Sequence, residues 1–292
     1  MDNLFQLQDE RKLSYAFYGP IDGQVIFYLH GTPSSRLEPL LLKNYNKDIN
    51  KLLEQYQLRL IAVDRPGMGF STYNPKGSFT SFAEDVKQLA DHLQISACKL
   101  LCWSGGGPYA LALAYHFPQL IHSVYIVTGF SRSFSEPNVF KNMNGNVYYF
   151  GAARYVSWLM KPIMNYVGRH EADKPIPQKI SRLPDVDHKL LADPEVINHF
   201  TKVTLNEACR FGSNGLVHEA ALYFNETGYT LSKINQPVHY WWGTKDNTVT
   251  KVHAEAVEQQ VPNSVMYYKP NEGHLSVYVN CFEEVLETIT MI

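Results

Sequence analysis

The chain has 292 residues and a formal net charge of −2, from 26 basic and 28 acidic side chains. Only 18% of its residues are charged, against a norm of about 25%, and it has neither an acidic tail nor the basic footprint of a nucleic-acid-binding protein. Its length is about twice the ~150 residues usual for one domain, so two domains or one large α/β domain with an insertion fit.

The N-terminal residues and the cysteines indicate the compartment. Residues 1–19 include several charged side chains and no long apolar run, and no stretch of about 18 apolar residues follows. The four cysteines form no C-x-x-C pair and no close cluster with histidine. We therefore expect a cytoplasmic protein with reduced thiols, with no bound metal or other cofactor and no stable membrane insertion.

Short apolar runs alternate with longer amphipathic ones, which is typical of a parallel sheet with helices on its faces. The predicted strands are residues 12–18, 24–29, 58–63, 99–103, 123–128, 238–242 and 264–268. The predicted helices are residues 80–93, 106–116, 252–260 and 278–288. The pattern predicts a doubly wound α/β fold.

A long interruption separates the predicted strands 123–128 and 238–242, where an ordinary connection has about 2–6 residues. We predict a core domain formed by residues 1–130 and 231–292, and a mainly helical cap domain over residues 131–230. Within the cap, residues 148–167 carry aromatic, methionine and aliphatic side chains at roughly helical spacing. Three prolines break that pattern in residues 175–184.

A serine lies between a predicted strand and a predicted helix. Residues 100–108 read Leu-Leu-Cys-Trp-Ser-Gly-Gly-Gly-Pro, and a strand-turn-helix of this kind presents the serine hydroxyl as a nucleophile. Small residues are needed two places on either side of Ser104. Gly106 meets this need, whereas Cys102 replaces the first glycine of G-x-S-x-G and is expected to open the turn slightly. A plain serine-glycine loop is the alternative, which the flanking strand and helix disfavour.

Residues 30–33, His-Gly-Thr-Pro, follow the predicted strand 24–29. Their turn can present the backbone N–H of Thr32 to a developing oxyanion. The second donor would be the N–H of Gly105, because both loops end at the carboxyl edge of the sheet. A plain turn is the alternative interpretation of this stretch.

The predicted general base is His274, one of eleven histidines. It follows the last predicted strand and so lies at the same sheet edge as Ser104, whereas its rival His30 more plausibly shapes the oxyanion turn. Asp246 comes directly after strand 238–242 and is predicted to orient the base, although aspartate in such a loop is more often a turn or cap residue. The chain order serine, aspartate, histidine is the one expected on this sheet.

These motifs together resemble the α/β-hydrolase family over nearly the whole chain outside the cap. The family pattern also contains D-R-P-G-x-G-x-S, which residues 64–71 match as Asp-Arg-Pro-Gly-Met-Gly-Phe-Ser. The resemblance implies an eight-stranded sheet, a cap inserted after the sixth strand and acyl-enzyme chemistry. It assigns Asp64 and Arg65 to shaping their loop. Family members with an aspartate nucleophile are disfavoured by Ser104.

We therefore expect an esterase-like serine hydrolase that acts on a small, mostly apolar molecule. Acyl transfer, lactone opening and carbon–carbon hydrolysis by the same triad are the alternatives, and a non-enzymatic ligand-binding protein is a less favoured one. The cap is expected to roof the site, although its aromatic residues could instead be cap core. A homodimer is an open alternative to a monomer. The predicted substrate-binding residues are Trp103, Phe130, Phe134, Tyr155, Trp158 and His218.

Overall fold

A computed structural model describes residues 3–141, 143, 146–170 and 183–291. Its eight strands form one sheet in the order β1-β2-β4-β3-β5-β6-β7-β8. Strand β2 is antiparallel to β1 and to β4, and the remaining neighbours are parallel. The strands are β1 (Asn3–Gln6), β2 (Lys12–Tyr18), β3 (Gln24–Leu29), β4 (Leu58–Val63), β5 (Cys98–Trp103), β6 (Ile121–Val127), β7 (Val238–Gly243) and β8 (Ser264–Lys269). The predicted doubly wound, mostly parallel sheet is confirmed.

Helices cover both faces of the sheet, which explains why the parallel strands are apolar without alternation. In β3, Phe27 and Leu29 join one core cluster with residues of the helices 79–92, 107–116 and 251–260, and Ile26 and Tyr28 join the other with residues of the helices 49–55 and 274–291. This division follows from the two-residue period of a strand. The five helices are α1 (Ile49–Gln55), α2 (Phe79–His92), α3 (Gly107–His116), α9 (Lys251–Gln260) and α10 (His274–Met291).

A helical segment is inserted between β6 and β7, as predicted. Its described helices are α4 (Asn146–Tyr155), α5 (Ser157–His170), α6 (Asp185–Leu190), α7 (Pro194–Thr201) and α8 (Asn214–Leu222). The boundaries 131 and 230 of a separate cap domain stay a prediction. Most of the proline-containing stretch 175–184 lies outside the described residues. Among the described helices, none has the length and apolarity needed to span a bilayer.

Two features of the core differ from the pattern read in the sequence. Strand β1 has only four residues and lies at the edge of the sheet with a half-exposed alternation, so it carries little apolar signal. Helix α10 begins at His274, four residues before its predicted start at residue 278. At this start, two backbone N–H groups donate hydrogen bonds to a carboxylate of the inserted segment, described below.

Candidate active site

Ser104 lies at a sharp turn between β5 and α3. Its φ of 53° is in the left-handed region, which is strained for a residue with a side chain. The turn is tight, because a Cβ on Gly106 would fall 2.2 Å from the carbonyl oxygen of Leu29. Cys102 is fully buried and keeps a regular register with Leu29 and Ile126. The sulfur is therefore accommodated within the strand, without an irregularity in the ladder at Cys102.

The structure brings the three predicted triad residues into one chain of contacts. Ser104 Oγ lies 2.9 Å from His274 Nε2, and His274 Nδ1 lies 2.8 Å from Asp246 Oδ2. Asp246 Oδ1 accepts hydrogen bonds from the backbone N–H groups of Thr248 and Val249, at 2.7 and 2.9 Å. The three side chains come from the carboxyl ends of β5, β7 and β8, since parallel strands end at the same edge.

The electrostatic surroundings of His274 favour its protonated form. Burial lowers the pKa of His274, but the charge and hydrogen bond of Asp246, with the charges of Asp187 and Glu38, outweigh it and raise the pKa above its ordinary value. Only 12% of the imidazole side chain is exposed. Such a site can take a proton from a neighbouring hydroxyl and hold the resulting imidazolium.

Trp103 supports the imidazole from behind and is itself 5% exposed. Its ring stacks on His274 with centroids 5.3 Å apart and on Tyr278 at 4.6 Å. Its Nε1–H donates to the backbone carbonyl of His274 at 3.3 Å. Trp103 was predicted to bind the substrate. In the structure its ring instead stacks on His274 and Tyr278.

The two predicted oxyanion residues lie in contact. A Cβ on Gly105 would fall 2.6 Å from Thr32 Cγ2, so this position requires glycine. The neighbouring N–H of Gly31 is bound to the carboxylate of Glu38, at 2.9 Å from each oxygen. Burial raises the pKa of Glu38 to about 7, although Tyr28 also donates a hydrogen bond to it. Glu38 therefore holds the loop of residues 30–32 through the Gly31 N–H, and no sequence pattern indicated this contact.

A buried ion pair links the loop of residues 30–32 to the inserted segment. Arg65 donates to the carbonyl oxygens of His30 and Gly31, both at 2.5 Å, and forms an ion pair with Glu219 of α8. Glu219 also accepts a hydrogen bond from the hydroxyl of Thr32. Arg65 thus holds the loop of residues 30–32, whereas the resemblance assigned it to shaping its own loop. Its partner Glu219 has no sequence signal of its own.

A second buried carboxylate of the inserted segment contacts the loop of the base. Asp187 of α6 accepts hydrogen bonds from the backbone N–H groups of His274 and Ser276, at 2.7 and 2.8 Å. Asp187 therefore caps the N-terminus of α10, where the helix dipole and unpaired N–H groups favour an anion. Glycine is required at position 273, since a Cβ there would lie 2.4 Å from Asp187 Oδ2. This cap explains why α10 begins at His274.

The other predicted substrate-binding residues fall into two groups. Phe130 and Phe134 are buried and pack on Tyr223, with centroids 5.3 and 5.4 Å apart. Tyr223, which the sequence analysis missed, donates a hydrogen bond to the carbonyl oxygen of Gly105 at 2.9 Å. His218 contacts the carbonyl oxygen of Gly77 through Nε2 at 3.0 Å. Phe130, Phe134 and Tyr223 therefore pack behind the turn at Ser104 and Gly105, whereas His218 contacts a loop outside the candidate site.

The prediction that Tyr155 and Trp158 roof an enclosed site differs from the structure. Their side chains are 76% and 73% exposed, on the outer surface of α4 and α5. Helix α5 instead buries Met160 and Met164, which lie four residues apart on its opposite face. Helical spacing showed which residues share a face but did not show which face turns inward.

Comparison with known proteins places this geometry in a common fold. A model of the α/β hydrolase fold family matches residues 24–280. The chain is 23% identical to YcgS, an uncharacterized hydrolase of Bacillus subtilis, over 91% of this chain and 89% of that protein. A thermophilic esterase from Thermogutta terrifontis superposes with a TM-score of 0.70 at 19% identity, covering 100% of this chain and 97% of that one. The epoxide hydrolase CorEH gives 0.72 at 19% identity, covering 100% and 97%.

Proposed function

The chain belongs to the α/β hydrolase fold family, and from that premise we propose that it is a serine hydrolase of esterase type. The reaction would cleave an ester or similar acyl bond through an acyl-enzyme intermediate. The observation that carries this proposal is the contact chain from Ser104 through His274 to Asp246, with links of 2.9 and 2.8 Å.

Each member of the triad has a defined step in this mechanism. Ser104 Oγ attacks the carbonyl carbon while its proton passes to His274 Nε2, and Asp246 stabilises the imidazolium through Nδ1–H. The N–H groups of Thr32 and Gly105 would bind the oxyanion. The imidazolium then gives its proton to the leaving alcohol, and the same base activates a water that releases the acid.

The nucleophile favours this chemistry over others on the same fold. Both an esterase and an epoxide hydrolase superpose on the chain with similar scores, so the fold alone decides nothing about the reaction. Displacement at a saturated carbon would proceed through a carboxylate ester, which requires an aspartate or glutamate nucleophile. Ser104 at the turn supports attack on an acyl carbon instead.

The substrate we propose is small and mostly apolar. Behind the nucleophile, the backbone N–H of Phe130 donates to the carbonyl oxygen of Ser104 at 3.0 Å, and its ring packs in a buried cluster with Phe134 and Tyr223. Phe130, Phe134 and Tyr223 are only 1%, 3% and 2% exposed, so they support an uncharged acyl or alcohol group as apolar packing behind Ser104 and not as residues that contact the substrate.

Covalent labelling tests the assignment of the nucleophile. A fluorophosphonate probe should modify Ser104, as read by mass spectrometry, and Ser104→Ala should lose the label and lower ester turnover by roughly four to six powers of ten. Ser96→Ala, at an exposed serine, is the matched control and should keep both. Retention of more than about a tenth of the activity in Ser104→Ala would overturn the proposal.

A pair of aspartates tests the assignment of the acid. Asp246→Asn should lower kcat by about 10⁴, because the imidazole would be held in the wrong tautomer. Asp64 is the control, since it is fully buried and paired with Arg36 at 2.8 Å, away from the imidazole contacts. Asp64→Asn should reduce stability more than the chemical step. Equal kinetic losses in two folded variants would show that Asp246 is not the acid.

A further inference from the structure

The outer surface of α4 and α5 carries a row of exposed apolar side chains. Tyr155, Trp158, Leu159 and Ile163 are 76%, 73%, 46% and 52% exposed. Leu159 and Ile163 are four residues apart, and Tyr155 and Trp158 are three apart, which places each pair on one side of the helical segment. We refer to these four residues as the outer apolar face.

Helix α5 is unusual in being apolar on two opposite sides. Its inner side buries Met160 and Met164 against the core, while its outer side presents Trp158, Leu159 and Ile163. A surface helix of a globular protein normally turns charged and polar residues to solvent, and one that is apolar all round is usually covered on both sides. Large apolar side chains exposed together on one helical segment point to an interaction site.

Every residue with a charged carboxylate, ammonium or guanidinium group in the segment around this face is basic. Residues 137–170 contain Lys141, Arg154, Lys161 and Arg169 and no aspartate or glutamate. The other 22 basic residues share the rest of the chain with all 28 acidic ones. The segment that carries the apolar face is therefore positively charged, whereas the whole chain has a net charge of −2.

We propose that the outer apolar face docks on the surface of an anionic lipid bilayer. An aromatic and aliphatic face accompanied by lysine and arginine is the composition of a helix that lies in the membrane interface. Its apolar side chains would enter the boundary between headgroups and acyl chains, and the basic residues would contact lipid phosphates. This inference concerns peripheral binding and does not depend on the acyl chemistry proposed above.

Charge argues against a second copy of the chain as the occupant. A two-fold contact brings the same patch of both molecules together. Here it would bring together two copies of residues 137–170, a segment that has four basic residues and no acidic one. Like charges across an interface oppose association, whereas an anionic lipid surface complements them.

Trp158 supplies a direct optical test in the full-length protein. The other tryptophans, Trp103, Trp241 and Trp242, are 5%, 0% and 6% exposed, so a change at the exposed ring reports this face. Addition of phosphatidylcholine vesicles containing phosphatidylglycerol should shift the emission to the blue and make it quenchable by brominated lipid. Pure phosphatidylcholine vesicles should bind much more weakly, and salt should weaken the binding to anionic vesicles.

Variants that keep Trp158 separate the apolar from the electrostatic contribution. The triple change Tyr155→Ser, Leu159→Ser and Ile163→Ser should abolish the shift, while Ile21→Ser with Val265→Ser, at residues 81% and 42% exposed elsewhere, should not. Lys161→Glu should weaken binding at least roughly fivefold, since one basic residue near the surface contributes about 1 kcal/mol. Lys51→Glu, an exposed residue of α1, is its control. Circular dichroism should show that every variant is folded.

Three results would overturn the inference. One is an absence of association with anionic vesicles by both fluorescence and co-sedimentation. Another is equal binding to neutral and anionic vesicles. The third is a Trp158 emission that is already blue-shifted without lipid in a dimer, seen by sedimentation velocity, that the triple variant dissociates. Because vesicle binding is measured in Ser104→Ala as well as in the natural chain, its failure is separate from failure of the proposed hydrolysis.

Discussion

The inner and outer sides of the inserted segment differ in the chemistry that they present. Towards the sheet edge, α6 and α8 place the buried carboxylates of Asp187 and Glu219 against the loops that carry His274 and Thr32. On the outside, α4 and α5 expose Tyr155 and Trp158. At these four positions carboxylates are buried and aromatic side chains are exposed, the reverse of the usual preference.

This contrast shows that the insertion does more than cover the core. A buried carboxylate is tolerated only where hydrogen bonds or an opposite charge compensate its lost hydration. Asp187 has two backbone N–H donors, and Glu219 has Arg65 and the hydroxyl of Thr32. The loops that carry Thr32 and His274 and the inserted segment therefore satisfy each other's buried polar groups.

The largest expected effect on stability is at the buried ion pair. Glu219→Ala would leave the guanidinium of Arg65 buried without its partner, which should lower the free energy of unfolding by about 3–5 kcal/mol. Denaturant unfolding measures this loss. Glu195→Ala, at an exposed residue of α7, is the control and should change little. A loss below about 1 kcal/mol for Glu219→Ala would show that this buried ion pair contributes no more to stability than an exposed one.

A smaller loss is expected on the buried side of α5. Met164 is 7% exposed, and Met164→Ala should lower the free energy of unfolding by about 2–5 kcal/mol through lost burial and a cavity. Ile163→Ala, one residue away on the exposed side, should change it by less than about 0.5 kcal/mol. Equal losses at both positions in denaturant titration would mean that the two sides of the helix are packed alike.

The charge of Asp187 should appear in the pH profile of the base. Because that charge helps to raise the pKa of His274, Asp187→Asn should move the acid limb of kcat/KM to lower pH. It should also lower kcat about tenfold, because His274 begins α10 and loss of a helix cap costs about 0.5–2 kcal/mol of helix stability. Asp185→Asn, at an exposed residue of the same helix, should leave the profile unchanged. If Asp187→Asn lowers stability alone, with the same acid limb, the residue does not act through the base.

The smallest effect is expected on the outer surface. Trp158→Ser removes a side chain that is 73% exposed, so the free energy of unfolding should change by less than about 0.5 kcal/mol. Turnover of short, water-soluble esters should also remain at the level of the natural chain. A large fall in either quantity would place Trp158 in the core of the insertion or in the substrate site.

Much of the candidate site at the sheet edge was predictable because each part has a short local signal. Ser104 lies between a strand and a helix with glycines after it, and Asp246 and His274 follow apolar runs directly. Parallel strands bring their carboxyl ends to one edge, and the structure places the three side chains within hydrogen-bond distance. The doubly wound sheet and the position of the insertion followed from the same alternation of runs and from the family motifs.

The sequence by itself determined the sheet, the place of the insertion and the candidate triad, since these depend on patterns within about ten neighbouring residues. Only the tertiary structure decided that Asp187 starts α10, that Glu219 pairs with Arg65 and that Tyr223 binds Gly105. Each of these contacts joins residues far apart in the chain, and no local pattern encodes such a pairing. The orientation of α5 was undetermined for a related reason. Both of its sides are apolar, so hydrophobic spacing could not tell the buried methionines from the exposed Trp158.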